Sequence, residues 1–181
     1  MKKLQNILIF TALLGAVSCT NSPMATIEGT ITEAEGKTLF LDYMGIAQTT
    51  ISDSVKLEQS GEFSFRVPQP ECFDFYRLRL DNKIIYLSVD STETLRITGT
   101  LPTMAASYQV EGSEDNEMLK QLVLKQGKLQ HTVQQLLRQA SSDYRATQSR
   151  IDTLIAQYKS EVRMEYIYPD PGKPYAYFAL F

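Results

Sequence analysis

The stretch GEFSFRVPQPECFDFYRLRL, residues 61–80, decides the fold of this chain. Apolar side chains occupy alternate positions in both of its halves, at Phe63, Phe65, Val67, Tyr76, Leu78 and Leu80. A period of two is typical of β-strands that bury one face, and the aromatic residues favour the same structure. Turn signals bound the stretch at Ser60-Gly61 and at Asp81-Asn82. The stretch therefore predicts strands with one buried face.

The same alternation extends through residues 26–112. It recurs at Ile27, Gly29, Ile31, Leu39, Leu41 and Tyr43. Further turn signals lie at Glu35-Gly36, at Asp90-Ser91 and from Gly99 to Pro102. About eight short strands in this space favour a small antiparallel β-sandwich or an open barrel. Because a helical pattern follows, the expected fold class is mainly β with α.

Residues 113–166 carry a helical pattern. Ser113 is a suitable N-cap, and acidic residues follow it in the first turn, where the helix dipole favours anions. Apolar residues with three-four spacing then form two seams, Leu119, Leu122, Leu129, Val133, Leu136 and Ala140, and Tyr144, Ile151, Leu154, Tyr158 and Val162. Gln126 stands where the first seam expects an apolar residue. A polar break at residues 141–143 separates the seams, so the pattern predicts an antiparallel α-helical hairpin.

Residues 167–181 end the sequence on an apolar run. A cluster of helix breakers, Pro169–Pro174, precedes seven apolar or aromatic residues, Tyr175–Phe181. A chain terminus is usually polar, so this one needs a surface to bury against. Either the run packs into the domain, or the sequence stops partway through an element. We expect the second, and interpret residues 167–181 as a linker or the start of a missing C-terminal segment.

Residues 1–19 have the layout of a secretory signal peptide. Two lysines and a short apolar run precede the small residues Ala16–Ser18. The run is shorter than the roughly twenty residues that a transmembrane helix needs. Cys19 follows directly, which resembles the lipobox of bacterial lipoproteins, with Ala16 in place of the usual leucine. We therefore expect a lipoprotein signal peptide over 1–19, a lipidated Cys19 and a tether over 20–25.

A lipidated Cys19 predicts an exported protein anchored to the bacterial cell envelope, at the outer membrane or the periplasmic face. One acyl chain binds a bilayer only marginally, whereas two or more chains anchor stably. The chain has 18 basic and 21 acidic side chains. Loss of Lys2 and Lys3 with the signal leaves 16 against 21, a net charge of −5. This acidic balance argues against a nucleic-acid partner, and the expected partner is the membrane.

Few residues in the sequence suit catalysis. His131 is the single histidine, and we interpret it as a solvated or interfacial helix residue rather than a metal ligand. Cys72 has no intramolecular partner if Cys19 is lipidated. It either pairs between molecules or is buried and inert, and we expect burial. A nucleophilic pair of Cys72 and His131 would need a third orienting group. We therefore predict no catalytic residue, no metal and no cofactor, and do not expect this chain to be an enzyme.

Two further patterns have alternative interpretations, and the binding residues remain unknown at this level. Arg66, Arg77 and Arg79 form either a basic strip across neighbouring strands or a solvated sheet face, and we favour the second. Five aromatic residues form either a platform for a sugar or an apolar side chain, or parts of the core, which we favour for most of them. They are Tyr43, Phe73, Phe75, Tyr76 and Tyr86.

Several short motifs follow the lipobox in a recognisable order. They are I-x-G-x-I at Ile27–Ile31, then Thr38–Leu41, Asp53–Val55, G-x-F-x-F at Gly61–Phe65, and Tyr108–Ser113 opening a helix. The ordered set resembles the N-terminal domain of unknown function of exported TlpA/ResA-like thiol–disulfide oxidoreductase lipoproteins of certain Gram-negative bacteria, over about residues 25–178. In that family a C-x-x-C pair in a thioredoxin-like domain is catalytic. No position of this sequence matches that pair, so no catalytic residue carries over.

Three functional hypotheses follow. The resemblance implies a non-catalytic N-terminal module of a membrane-anchored envelope thiol–disulfide oxidoreductase (thioredoxin-like) system. Its partners would be a thioredoxin-like domain or envelope client proteins. It would space the redox domain from the membrane, or present client proteins to that domain. The alternative is a stand-alone surface lipoprotein that binds a glycan or a peptide. A third, enzymatic, interpretation would require a reactive Cys72 thiol.

Overall fold

The computed structural model describes residues 22–139 and 144–180. The predicted signal peptide, Cys19 and the first residues of the tether lie outside the described residues. Within the described ranges, no helix is long and apolar enough to cross a bilayer.

The described residues form eight strands in two four-stranded sheets. The strands are β1 (Met24–Thr32), β2 (Thr38–Met44), β3 (Thr49–Lys56), β4 (Glu62–Pro68), β5 (Asp74–Leu80), β6 (Lys83–Val89), β7 (Thr94–Thr100) and β8 (Gln109–Glu111). One sheet has the order β4-β1-β7-β8 and the other β3-β2-β5-β6. The sheets do not close into a barrel, so of the two predicted architectures the sandwich is confirmed.

One strand pair of the sandwich departs from the antiparallel prediction. β1 and β7 run parallel, whereas the other pairs in the described sheets are antiparallel. Gly29 stands opposite Ile97 in this parallel pair. A Cβ atom on Gly29 would lie only 1.8 Å from the carbonyl oxygen of Ile97. The close approach of the two backbones therefore requires glycine at this position.

The main core lies between the two sheets, where the alternation predicted from the sequence places the apolar faces. Its fully buried side chains include Ile27, Leu41, Phe65, Leu78 and Leu95. Burying such side chains stabilises the fold by about 1.5–3 kcal/mol each.

The predicted helical hairpin is confirmed as α2 (Glu114–Gln139) and α3 (Tyr144–Val162), after a short α1 (Met104–Ser107). A 3₁₀ turn, Leu101–Thr103, precedes α1, and a π-helical turn, Arg163–Ile167, extends α3. A last short helix, α4 (Pro174–Phe178), follows the predicted breaker cluster. The break at residues 141–143 lies outside the described residues.

A second apolar core joins these helices to the outer face of the β3-β2-β5-β6 sheet. Leu119 and Leu122 of α2 meet Tyr166 of the π-helical turn and Tyr175 of α4. Phe75 of β5 and Tyr86 of β6 pack against this cluster from the sheet. The start of the apolar run is thus packed, with Tyr175 and Ala176 only 9% and 1% exposed.

Candidate functional site

A cleft of about 1120 Å³ opens where the helices meet the sheet. The β2–β3 loop, residues 45–48, and the start of β5 form one side, and the end of α3 forms the other. α4 and the residues after it close one end. Clefts at the junction of two structural layers are common ligand sites, so this cleft is the candidate site.

Aromatic rings from the sheet and from α4 form the apolar wall of the cleft. The Phe178 ring lies 5.6 Å from the Phe75 ring and 5.2 Å from the Tyr86 ring, centroid to centroid. Phe73 and Tyr177 pack edge to face at 5.3 Å. Such tilted pairs add about 0.5–1.5 kcal/mol beyond the burial of their area. The wall is therefore an aromatic surface whose rings pack against one another.

The rim of the cleft exposes large apolar side chains. Ile46 in the β2–β3 loop is fully exposed, Tyr177 is 50% exposed and Leu180 is 67% exposed. All three line the cleft. Exposed apolar side chains that cluster at one groove mark a surface suited to an apolar partner.

The α3 wall carries cations that face the cleft. Lys159 and Arg163 both line it and are exposed. Their acidic neighbours turn elsewhere, because Glu161 and Glu165 bind Lys125 of α2 at 3.0 and 2.7 Å. Hydrogen bonding by Lys125 lowers the pKa of Glu161. The end of the helix therefore separates its charges, with cations at the cleft and carboxylates at α2.

The acidic residue on the opposite wall, Asp74, accepts a hydrogen bond within the protein. The Tyr43 hydroxyl donates to Asp74 Oδ1 at 3.3 Å. The Asp74 charge raises the pKa of Tyr43, so the phenol stays protonated near neutral pH. A neutral phenol, Tyr43, thus donates a hydrogen bond to the Asp74 carboxylate at the edge of the cleft.

The structure brings together four of the five aromatic residues predicted as a platform or as core. Tyr43, Phe73, Phe75 and Tyr86 line the cleft. Tyr76 instead lies 3% exposed in the sandwich core, where burial raises its pKa to about 12. Sequence reasoning missed the opposite wall, since Tyr158, Lys159 and Val162 come from a distant part of the chain. Gln126, the polar interruption of the α2 seam, also lines the cleft and was the available signal.

The three arginines do not form the basic strip that was one alternative. The other alternative, a solvated sheet face, holds for Arg66 but not for Arg77 and Arg79. Arg66 lies on β4 in one sheet, whereas Arg77 and Arg79 lie on β5 in the other, so no strip joins them. Arg77 and Arg79 are half-buried because they hold the buried carboxylate of Asp42.

The contacts of Asp42 define an ion-pair cluster on the outer sheet face. Arg77 Nε donates to Asp42 Oδ2 at 2.8 Å, and Arg79 donates through Nε at 2.8 Å and Nη2 at 3.1 Å. The guanidinium of Arg79 also stacks 4.5 Å from the Phe40 ring centroid. Hydrogen bonding, first from Arg79, lowers the pKa of Asp42 against the opposing effect of burial. The cluster orders the sheet face beside the cleft.

The expectation that Cys72 is buried is wrong. Cys72 is exposed, because it lies in the turn between β4 and β5 rather than within a strand. His131 is exposed on α2, as predicted. No hydrogen bond joins Cys72 to His131 in the described part of the chain. Within residues 22–139 and 144–180, no group of three His, Cys, Asp or Glu side chains is placed to hold a metal ion.

These features define a two-sheet β-sandwich with a helical cap and a cleft between them. Residues 25–119 match the family model of DUF4369, a domain of unknown function, and the chain belongs to this family. The matched residues cover the sandwich and the first turns of α2. No curated protein matches the chain significantly.

Proposed function

We propose that this chain is a non-catalytic, polypeptide-binding module of a membrane-anchored envelope thiol–disulfide oxidoreductase (thioredoxin-like) system. In this role the cleft holds an unfolded segment of an envelope client protein for a thioredoxin-like partner. The observation that carries the proposal is the cleft itself, with its aromatic wall and its exposed apolar rim.

The size and lining of the cleft support a polypeptide ligand. Small-molecule pockets usually have about 300–1000 Å³, and this cleft, with about 1120 Å³, lies above that range and is partly open to solvent. Unfolded chains expose the apolar side chains that an aromatic wall and the Ile46 and Leu180 rim would bind. Thiol–disulfide exchange needs access to the sulfur atoms of the client, which an unfolded segment offers.

The setting is supported by the order of the sequence motifs. The I-x-G-x-I motif lies in β1, Thr38–Leu41 in β2 and the G-x-F-x-F motif at the start of β4. Tyr108–Ser113 contains β8 and leads into α2. Together with the lipobox at Cys19, this order is the basis for proposing an envelope oxidoreductase system.

A binding assay on the full chain tests the module. The chain is reconstituted through its lipid in phosphatidylcholine vesicles and mixed with reduced, carboxymethylated ribonuclease A, a permanently unfolded polypeptide. We expect the unfolded protein to sediment with the vesicles and the native, folded ribonuclease to stay in solution. Equal binding of both forms, or of neither, would contradict the proposal.

Rim substitutions locate the binding. Ile46→Ser with Leu180→Ser removes apolar side chains that are exposed, so the fold should tolerate the change. We expect this variant to bind the unfolded protein at least about fivefold more weakly. The matched control is Ile51→Ser with Leu137→Ser, which removes exposed apolar side chains outside the cleft. If both double variants lose binding equally, the cleft is not the site.

A second experiment tests the setting. The protein is extracted from its native membrane after alkylation, and its intact mass and its disulfide-linked partners are measured. We expect acyl groups on Cys19 and a C-x-x-C thioredoxin-like domain, either on the same chain or trapped with it. An unmodified Cys19, or the absence of any such domain, would contradict the oxidoreductase setting. The result of the binding assay would still hold.

The alternative function is a stand-alone surface lipoprotein that binds a glycan in the same cleft. The observation that favours it is the set of tyrosines along the cleft, since a phenol offers a stacking face and a hydroxyl. They are Tyr43, Tyr86, Tyr158 and Tyr177. Binding of oligosaccharides on a glycan array, without binding of unfolded polypeptide, would favour this alternative.

A further inference from the structure

The cleft carries a charge pattern that its apolar lining does not explain. Lys159 and Arg163 are four residues apart, so they lie next to each other on one helical face. Both are exposed at the cleft, and neither has an ion-pair partner among the described residues. Their acidic neighbours Glu161 and Glu165 both bind Lys125. The helix therefore presents two adjacent free cations along one wall.

The pattern is opposite to the charge of the protein as a whole. The chain has a formal net charge of −3. Among the described residues that line the cleft, Lys159, Arg163 and Asp74 are the charged ones. Asp74 accepts a hydrogen bond from the Tyr43 hydroxyl and keeps its charge, so two cations and one carboxylate leave the lining with a net positive charge. Two cations opposite an aromatic wall on an acidic protein attract acidic ligands and repel basic ones.

We propose that the cleft selects polypeptide segments in which carboxylate side chains flank large apolar side chains. This inference rests on the proposed function and names its ligand class. The apolar side chains of the segment pack against the aromatic wall, and its carboxylates bind Lys159 and Arg163. Arginine binds carboxylates through two parallel hydrogen bonds, which adds geometric selection to the attraction.

The two parts of the cleft have different roles in this scheme. Burial of apolar side chains supplies most of the affinity, because exposed ion pairs contribute little individually. The cations supply discrimination, since charge complementarity raises the association rate and like charges oppose binding. Binding of acidic segments should therefore weaken with rising salt, and binding of neutral apolar segments should not.

Three fluorescein-labelled peptides of equal length test the inference on the full chain in phosphatidylcholine vesicles. One alternates Leu and Phe with Glu, the second has Gln in place of Glu, and the third has Lys. We expect the Glu peptide to bind most tightly and the Lys peptide most weakly. Reversing the two positive charges of the α3 wall with Lys159→Glu and Arg163→Glu should weaken binding of the Glu peptide about tenfold and strengthen binding of the Lys peptide.

A matched control changes the net charge equally. Lys128→Glu with Arg150→Glu reverses two exposed cations on α2 and α3 that do not line the cleft. It should leave the ranking and the affinities within about twofold of the parent. If this variant shifts the Glu peptide as much as the wall variant does, the effect is global charge and the inference is overturned.

The outcomes separate this inference from the proposed function. Equal binding of all three peptides, lost in the Ile46→Ser and Leu180→Ser variant, would leave a polypeptide-binding cleft and overturn the acidic selection. Failure of all three peptides to bind would overturn both. Binding of the Glu peptide that survives the rim variant would place its site elsewhere and overturn the inference.

Discussion

The side-chain amide of Asn116 pairs with the backbone of Ser88 in the way that a neighbouring strand would. Asn116 Oδ1 accepts from the Ser88 amide at 2.9 Å, and Asn116 Nδ2 donates to the Ser88 carbonyl at 2.7 Å. Ser88 lies on β6, the edge strand beside α2, and Asn116 is 1% exposed. The pair satisfies the sheet edge at Ser88 and fixes α2 against the sandwich, so it helps to position the wall of the cleft.

Removal of this pair should destabilise the protein. Asn116→Ala leaves a buried amide and a buried carbonyl of Ser88 without partners, which costs about 2 kcal/mol or more. Urea unfolding followed by circular dichroism measures the change in the free energy of unfolding. Gln121→Ala, on the exposed face of α2, is the control and should change it by less than about 0.5 kcal/mol. Equal effects of the two substitutions would contradict the assigned role of Asn116.

Two glycine-to-alanine substitutions should have opposite effects on the free energy of unfolding. Gly29→Ala would place a Cβ atom against the Ile97 carbonyl oxygen and separate β1 from β7, so we expect a loss of about 3 kcal/mol or more. Gly127→Ala, inside α2 where the added carbon would point into open space, should gain about 1 kcal/mol from helix propensity. Thermal unfolding of both variants measures the difference. A tolerated Gly29→Ala would contradict the parallel register.

The two arginines that hold Asp42 should contribute unequally. Arg79 makes two hydrogen bonds to Asp42 and stacks on Phe40, whereas Arg77 makes one hydrogen bond. We expect Arg79→Met to cost about 3 kcal/mol and Arg77→Met about 1.5 kcal/mol in free energy of unfolding. Denaturant titration measures both.

The exposed arginine of the other sheet serves as the control for this pair. Arg66→Met on β4 should change the free energy of unfolding by less than about 0.5 kcal/mol. A larger loss from Arg77→Met than from Arg79→Met would contradict the geometry of the cluster.

Glu93 should make stability fall as pH rises towards neutrality. Burial raises the pKa of this carboxyl from its ordinary 4.5 to about 7, and the nearby Asp90 charge contributes. The folded protein therefore holds the proton more tightly than the unfolded chain, so the free energy of unfolding declines between about pH 4.5 and pH 7. Glu93→Gln keeps a neutral side chain and should lack this decline.

Unfolding at a series of pH values measures the Glu93 effect. The control is Glu58→Gln, the same substitution at an exposed glutamate, and this variant should keep the wild-type decline. The Asp42 carboxyl acts in a separate window, because its pKa lies below 3.8 and its stabilisation is lost only as pH falls through that lowered value. A Glu93→Gln variant with an unchanged pH profile would contradict the assignment.

The sandwich could be predicted because each sheet buries one face. The alternation in β1, β2, β4 and β5 follows directly from that burial. β3 gave a weaker pattern, since seven of its eight residues are exposed. The parallel pairing of β1 with β7 could not be predicted, because strand order depends on contacts between segments far apart in sequence. Gly29 marked the close approach but not the partner.

The cleft could be predicted only in part. The aromatic residues of β5 and β6 were recognisable, but their environment depends on α4, which packs over Phe75 and Tyr86. A helix of only five residues, which follows Pro169 and Pro171 and begins at Pro174, carries no periodic signal. The sequence did not single out Lys159 of α3 and Arg163 of the π-helical turn, because their freedom from ion pairs depends on Lys125. Lys125 binds the neighbouring Glu161 and Glu165.

The most direct test of the polypeptide-binding cleft uses tryptophan, which the chain lacks. Tyr177→Trp places a single reporter on the rim, and Tyr144→Trp places one at the exposed start of α3 outside the cleft. Reduced, carboxymethylated ribonuclease A contains no tryptophan, so emission reports only on this protein. We predict that adding it shifts the emission of the Tyr177→Trp variant to shorter wavelength and protects it from acrylamide, while the Tyr144→Trp variant is unchanged. No change at position 177, or equal changes at both positions, would contradict the account.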